Sequence, residues 1–219
     1  MMTSKSFNKW TQQEIEDVFN LKLVKTHPLL TTWLNLTLPP ELKPTEQELL
    51  FLQEIQLEAQ PVIESWTEFE LIFKFISFIV RFAHLSGDHY QSFGDRPLSA
   101  KVGEHTLHGR VDFMVASGKY EPKSPYFCFH EYKTTKPGRD SDPIGQLLAT
   151  MLVAQALNKN EHPIYGAYII GKWWQFVILV NNTYAISSSY DSATEDLTDI
   201  LHILKSLNLL IPQMLVPKP

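Results

Sequence analysis

Apolar residues recur at two spacings along this chain, and the change of spacing divides it. Up to about residue 85 the repeat is helical, and beyond Pro97 it alternates as in strands. Thr11-Gln12-Gln13-Glu14 has the spacing of a capping box, in which the Thr and Glu side chains each satisfy a backbone N–H at a helix start. It predicts a short helix to about Asn20. Residues 21–44 hold Pro28, Pro39, Pro40 and Pro44 and read as an irregular connection with a brief apolar segment, Leu29 to Leu38. A second box, Thr45 to Glu48, opens a helix to about Gln60, with Leu49, Leu52, Ile55 and Leu57 on its apolar face. After Pro61 a long helix is predicted from about Ser65 to Leu85. Its apolar residues lie nearly all round, the pattern of a deeply buried helix.

The strand region begins with Leu98–Leu107, followed by Gly109–Ala116, where Val111, Phe113 and Val115 share one face and Asp112 and Met114 the other. Ser117–Pro125 is a polar loop, and Tyr126–Lys133 is a third strand. Asp142-Pro143 reads as an N-cap followed by proline in the first helical position. The helix it opens runs to about Asn158 and is rich in Ala and Leu, which suits close packing on a sheet. Ile164–Ile170 is a fourth strand. Turns at Gly171-Lys172 and Asn181-Asn182 lead into Trp173–Val180 and Thr183–Ser187. Ser192 to Glu195 is a further capping box, ahead of a helix bearing Leu197, Ile200, Leu201, Leu204 and Leu207. The order is helix, three strands, helix, strand, then additions: an α/β (α+β) sandwich with a mixed sheet. Residues 1–64 form an N-terminal helical extension packed on a domain of residues 65–211, and 212–219 a loose tail.

Composition adds bounds. A chain of 219 residues with 44% hydrophobic content suffices for one full-sized domain. The one cysteine, Cys128, excludes an internal disulfide and a cysteine zinc cluster. The first ten residues lack an apolar core of signal-peptide length, and Phe69–Leu85 is interrupted by Glu70, Lys74 and Arg81, too short and charged to span a bilayer. The expectation is a cytoplasmic protein with no membrane partner. The net charge of −5 argues against a broad phosphate-binding surface, although a local basic patch is compatible with it.

Chemistry concentrates on the third strand. Alternation places Phe127, Phe129, Glu131 and Lys133 on one face, so a core-anchored face ends in a carboxylate and an ammonium. That is costly unless the two find partners. Asp112 lies on the preceding strand, where a hairpin can bring it beside Glu131. Two adjacent carboxylates repel, and a hard divalent cation such as Mg²⁺ relieves the conflict. The bland alternative is a solvated strand end with a surface ion pair. Lys133, Lys136 and Arg139, with Arg110 and Lys101, form a candidate phosphate patch or a solvated basic loop. Trp173, Trp174 and Phe176 read as hairpin core more than as base-stacking groups, and the spacing of His105, His108 and His130 fits no standard zinc site.

Three segments carry a resemblance: Gly109-Arg110-Val111-Asp112, His130-Glu131-Tyr132-Lys133 and Asp142-Pro143-Ile144-Gly145-Gln146. A strand Asp, a Glu-x-Lys on the next strand and a helix bearing Gln together resemble the PD-(D/E)XK nuclease superfamily, with Val111 where its name has Pro. The chain as a whole is similar to small stand-alone bacterial proteins related to restriction endonucleases. The likeness spans about residues 65–180 and implies a restriction-endonuclease-like αβββαβ core. It implies that Asp112, Glu131 and the Tyr132 carbonyl ligate Mg²⁺ (Mn²⁺ substituting), that Lys133 is the catalytic lysine, and that Gln146 contacts substrate or shapes the site. A further metal ligand from the first core helix falls to Glu70, with Glu68 second. The implied activity is metal-dependent hydrolysis of DNA, with RNA second, by a homodimer or a larger defence or repair complex. The alternative is a non-catalytic nucleic-acid-binding or protein-interaction subunit of a restriction, repair or defence assembly.

Overall fold

The structure is a computed structural model that describes residues 3–136, 138, 141–159 and 162–215. Its N-terminal part comprises β1 (Thr3–Ser6), α1 (Gln12–Phe19), β2 (Lys22–Leu23), α2 (Pro28–Leu34) and α3 (Glu46–Ala59). A broken helix follows: α4 (Glu68–Leu71), a π-helical turn over Ile72–Ile76 and α5 (Ser77–Ala83). Then come β3 (Tyr90–Val102), β4 (His105–Ser117), β5 (Lys123–Lys133), α6 (Pro143–Leu157), β6 (Ile164–Ile170), β7 (Trp173–Val180), β8 (Thr183–Ile186), β9 (Tyr190–Asp191) and α7 (Asp196–Leu215).

All nine strands join one mixed sheet flanked by helices. Strands β3, β4 and β5 form an antiparallel meander, and β6 returns parallel to β5 through α6. Strands β7 and β8 extend it antiparallel, and β9 pairs with β7. One apolar cluster joins α1 and α6 to Met114, Phe129 and Val177; the other joins α2, α3, α5 and α7 to Phe113, Trp174 and Phe176. The Ala- and Leu-rich composition of α6 lets it sit deep in the first cluster. Close approach is needed at Gly145, where a Cβ would lie 2.5 Å from the Trp10 carbonyl and 2.7 Å from the Gln12 nitrogen. Asp142 fixes that junction: its Oδ1 accepts from Gly145 N–H at 2.9 Å and its Oδ2 from Gln12 N–H at 2.7 Å.

Several sequence expectations are corrected. The first strand is not Leu98–Leu107: β3 ends at Val102, and a turn at Gly103-Glu104, with Gly103 at φ +58°, starts β4. Glycine adopts such a φ at the least cost. The N-terminal extension is not purely helical, since β1 pairs with β4 and β2 with β8. The long helix is not buried all round. It buries Leu71, Phe75, Ile76, Ile79 and Ala83, while Phe69 and Phe73 are 74% and 65% exposed and stack on each other at 5.7 Å. One helix laid on a sheet can bury only one side. The Ser192 box does not form, because the Ser192 hydroxyl donates to the Lys172 carbonyl and α7 starts at Asp196. Nor is the tail loose from residue 212: α7 continues through Pro212 to Leu215, with Met214 and Leu215 packed on the core. Residues 216–219 lie outside the described residues. No helix among the described residues is long and apolar enough to cross a membrane.

Candidate active site

The β4–β5 ladder ends at the pair Phe113 and His130. Beyond it β4 remains with β3 and β5 remains with β6, where Glu131 pairs with Tyr168 and Lys133 with Ile170. A split therefore opens between β4 and β5, and the peptide groups of Tyr132 have no strand partner on that side. Unpaired backbone groups at such depth need other partners. Asp112 supplies one, its Oδ2 accepting the Tyr132 N–H at 2.8 Å. Lys133 supplies the other, its Nζ donating to the Tyr132 carbonyl at 2.9 Å. The same ammonium donates to Glu131 Oε1 at 2.5 Å and lies 3.5 Å from Glu68 Oε2.

This cluster is short of positive charge. Glu131 is 3% exposed. Burial, then the neighbouring Asp112, pushes its carboxyl up to about 8 against the opposing pull of Lys133, with Glu68 adding to the rise. Burial also raises Asp112, with the Tyr132 N–H and Lys133 acting in the other direction. Lys133 is held above its ordinary range: burial lowers it, and the attraction of Glu131, Asp112 and Glu68 outweighs that. One ammonium thus serves three carboxyl groups, two of them largely out of water.

Asp112, Glu131, Lys133 and the Tyr132 peptide meet here. Glu68 joins them, while Glu70, the first choice from the sequence, turns away. Its carboxylate completes the capping box with Thr67 and pairs with Lys74 at 2.7 Å, interactions that hold it at about 2. Gln146 is half-buried in the first turn of α6, and among the described residues no hydrogen bond links its side chain to the cluster. Phe127 does not share the face of Phe129. Register shifts on either side of Ala116 move it into the opposite cluster with Cys128 and Tyr132. Trp174 and Phe176 are fully buried, and Arg110 is paired with Asp95. Arg139 lies outside the described residues.

Sequence reasoning missed the wall facing Asp112. A cleft of about 750 Å³ runs between the broken helix and the start of the meander, lined by Ser77, Arg81, His84, Ser92, Asp112 and Tyr132 among others. Asp112 and Tyr132 line it, whereas Glu131 and Lys133 do not. His84 is 2.9 Å from Glu48 across the wall. A lone Arg on the helix expected to be deepest carried no sequence signal of its own.

The donors suit a hard cation. Tyr132 N–H takes Asp112 Oδ2 and Lys133 takes Glu131 Oε1, which leaves one oxygen of each carboxylate, together with Glu68. Mg²⁺ takes oxygen ligands and is commonly held by one or two carboxylates with waters and phosphate completing the shell. Among the described residues no three His, Cys, Asp or Glu side chains are arranged to hold a metal unaided. No protein-family model matches the chain, and no curated protein matches it.

Proposed function

We propose that the chain is a metal-dependent nuclease of the PD-(D/E)XK type that hydrolyses phosphodiester bonds, in DNA before RNA. The observation that carries this reading is the convergence of Asp112, Glu131 and Lys133 on the Tyr132 peptide at the β4–β5 split. The order of helix, β3, β4, β5, α6 and β6 supports it, being the αβββαβ arrangement of that superfamily. Asp112 and Glu131, with the Tyr132 carbonyl and Glu68 in place of Glu70, would hold Mg²⁺ or Mn²⁺. When bound, the ion supplies Lewis acidity toward the phosphate and lowers the pKa of its water.

The protein's own groups do the rest. Lys133, charged and fixed by Glu131 and the Tyr132 carbonyl, orients the attacking water and offsets negative charge on the phosphoryl oxygens. Asp112, at the open side of the cluster, faces the cleft through which a phosphate arrives. Gln146 touches substrate only if substrate extends toward the first turn of α6. The test is cleavage of single-stranded, duplex and branched DNA and of RNA with Mg²⁺ or Mn²⁺. Lys133→Ala and Asp112→Asn should each reduce the rate by about 100-fold or more, the scale of losing one transition-state contact. Cleavage that survives both substitutions, or no cleavage of any substrate, overturns the reading.

A further inference from the structure

Six of the eleven large apolar side chains exposed among the described residues fall between positions 50 and 73: Leu50, Phe51, Leu57, Val62, Phe69 and Phe73. Two of them, Phe51 and Phe73, line a groove of about 400 Å³ between α3 and the broken helix, together with Glu54, Glu58, Trp66 and Phe78 among others, and Phe69 stacks on Phe73. On α3, Phe51, Glu54 and Glu58 fall on the face that lines the groove, and Leu50 and Leu57 are exposed on the same helix. Contiguous exposed apolar surface with a polar rim is the ordinary mark of a docking site.

The charge around this groove is one-sided. Residues 46–73 contain seven Glu and no Lys or Arg; the rest of the chain has 19 basic residues against the remaining 17 of the 24 acidic ones. The negative excess of the protein therefore resides in this segment. Neither Glu54 nor Glu58 has an ion-pair partner among the described residues, and the groove's one lysine, Lys74, is committed to Glu70. Such a rim repels phosphate, which removes nucleic acid and anionic lipid as occupants. It also disfavours a second copy of this chain, whose matching surface brings the same unpaired carboxylates.

We propose that this groove binds an amphipathic helical segment of a partner protein, with apolar anchors on one face and Lys or Arg flanking them. Phe51, Phe73 and Trp66 receive the anchors, and Glu54 and Glu58 pair with the flanking cations. Helix-in-groove recognition uses anchors at i, i+3 or i+4 and i+7, which the groove between two helices accommodates. The inference rests on this surface and is independent of any nuclease activity.

The test uses the full chain and a synthetic peptide of about 18 residues, built from Leu and Lys with Leu on one helical face. Binding is read by fluorescence anisotropy at two salt concentrations. Two control peptides accompany it: the same composition scrambled so that the Leu face is lost, and a Leu/Glu counterpart. Both should bind at least about tenfold more weakly, and Phe69→Ser with Phe73→Ser should weaken the Leu/Lys peptide about tenfold or more. Glu54→Gln with Glu58→Gln should weaken it and flatten its salt dependence. All four positions are on the surface, so thermal unfolding should show the variants folded. Equal binding of the scrambled peptide, or insensitivity to the Phe substitutions, overturns the proposal. So does a concentration-dependent dimer in sedimentation that Phe69→Ser with Phe73→Ser abolishes, because the groove would then belong to a second copy.

Discussion

Replacing Glu131 with Gln should stabilise this protein at neutral pH when metal is chelated. In the folded chain the Glu131 carboxyl keeps its proton up to about pH 8, against an ordinary 4.5. The native state therefore binds a proton that the unfolded chain releases, and stability present below pH 4.5 is lost as pH rises toward 8. At pH 7 ionisation of Glu131 therefore favours the unfolded chain, by about 3 kcal/mol at roughly 1.4 kcal/mol for each pH unit above 4.5. Gln cannot ionise, and its amide oxygen can still accept from Lys133. Glu131→Gln should thus gain about 3 kcal/mol over the wild type at pH 7 and almost nothing at pH 4.5. For a domain of this size that is roughly 6–12 °C in melting temperature. Thermal and urea unfolding with EDTA at both pH values measure it. A Glu131→Gln protein that is less stable by the same amount at both would refute the reasoning, showing Glu131 to be an ionised partner of Lys133.

Three further expectations follow from the same structure. Mg²⁺ at about 100 times its dissociation constant should add about 2.7 kcal/mol to wild-type stability at pH 8. The gain should shrink at pH 5.5, where protons compete for the carboxylates, and vanish in Asp112→Asn; an equal gain in that variant would place the ion elsewhere. Asp142→Ala, which frees two backbone N–H groups, should cost about 2 kcal/mol in urea unfolding, near the top of the range for a helix cap. Gly145→Ala should cost about 3 kcal/mol or more, because the new methyl meets backbone of the 10–12 segment rather than a movable side chain. A loss below about 1 kcal/mol would mean that α1 is free to shift away from α6.

What the sequence made legible was set by neighbours close along the chain. The boxes at Thr11 and Thr45 form, as does the Asp142 cap, because every partner lies within one turn. β6 and β7 lie between marked turns and fall where expected. The failures need distant information. The Thr67 box already claims Glu70, so the tertiary contact falls to Glu68, whose place beside Lys133 depends on how the broken helix meets β5. Phe127 changes face through bulges that alternation cannot anticipate. Ser192 has the spacing of a cap but is captured by Lys172, twenty residues earlier. Asp112, Glu131 and Lys133 were visible as a trio, but the split that joins them through Tyr132 was not.

The two N-terminal strands have a kinetic consequence. Thr3 pairs with His105 and Lys22 with Thr183, so the start of the chain joins the sheet only when segments far along it exist. Long parallel pairings incur loop-closure entropy before they gain contacts, and sheets of this kind fold slowly. During synthesis the first 23 residues, with Phe7, Trp10 and Ile15 destined for the core, lack their sheet partners until β4 and then β8 have emerged. That interval exposes the chain to misassociation.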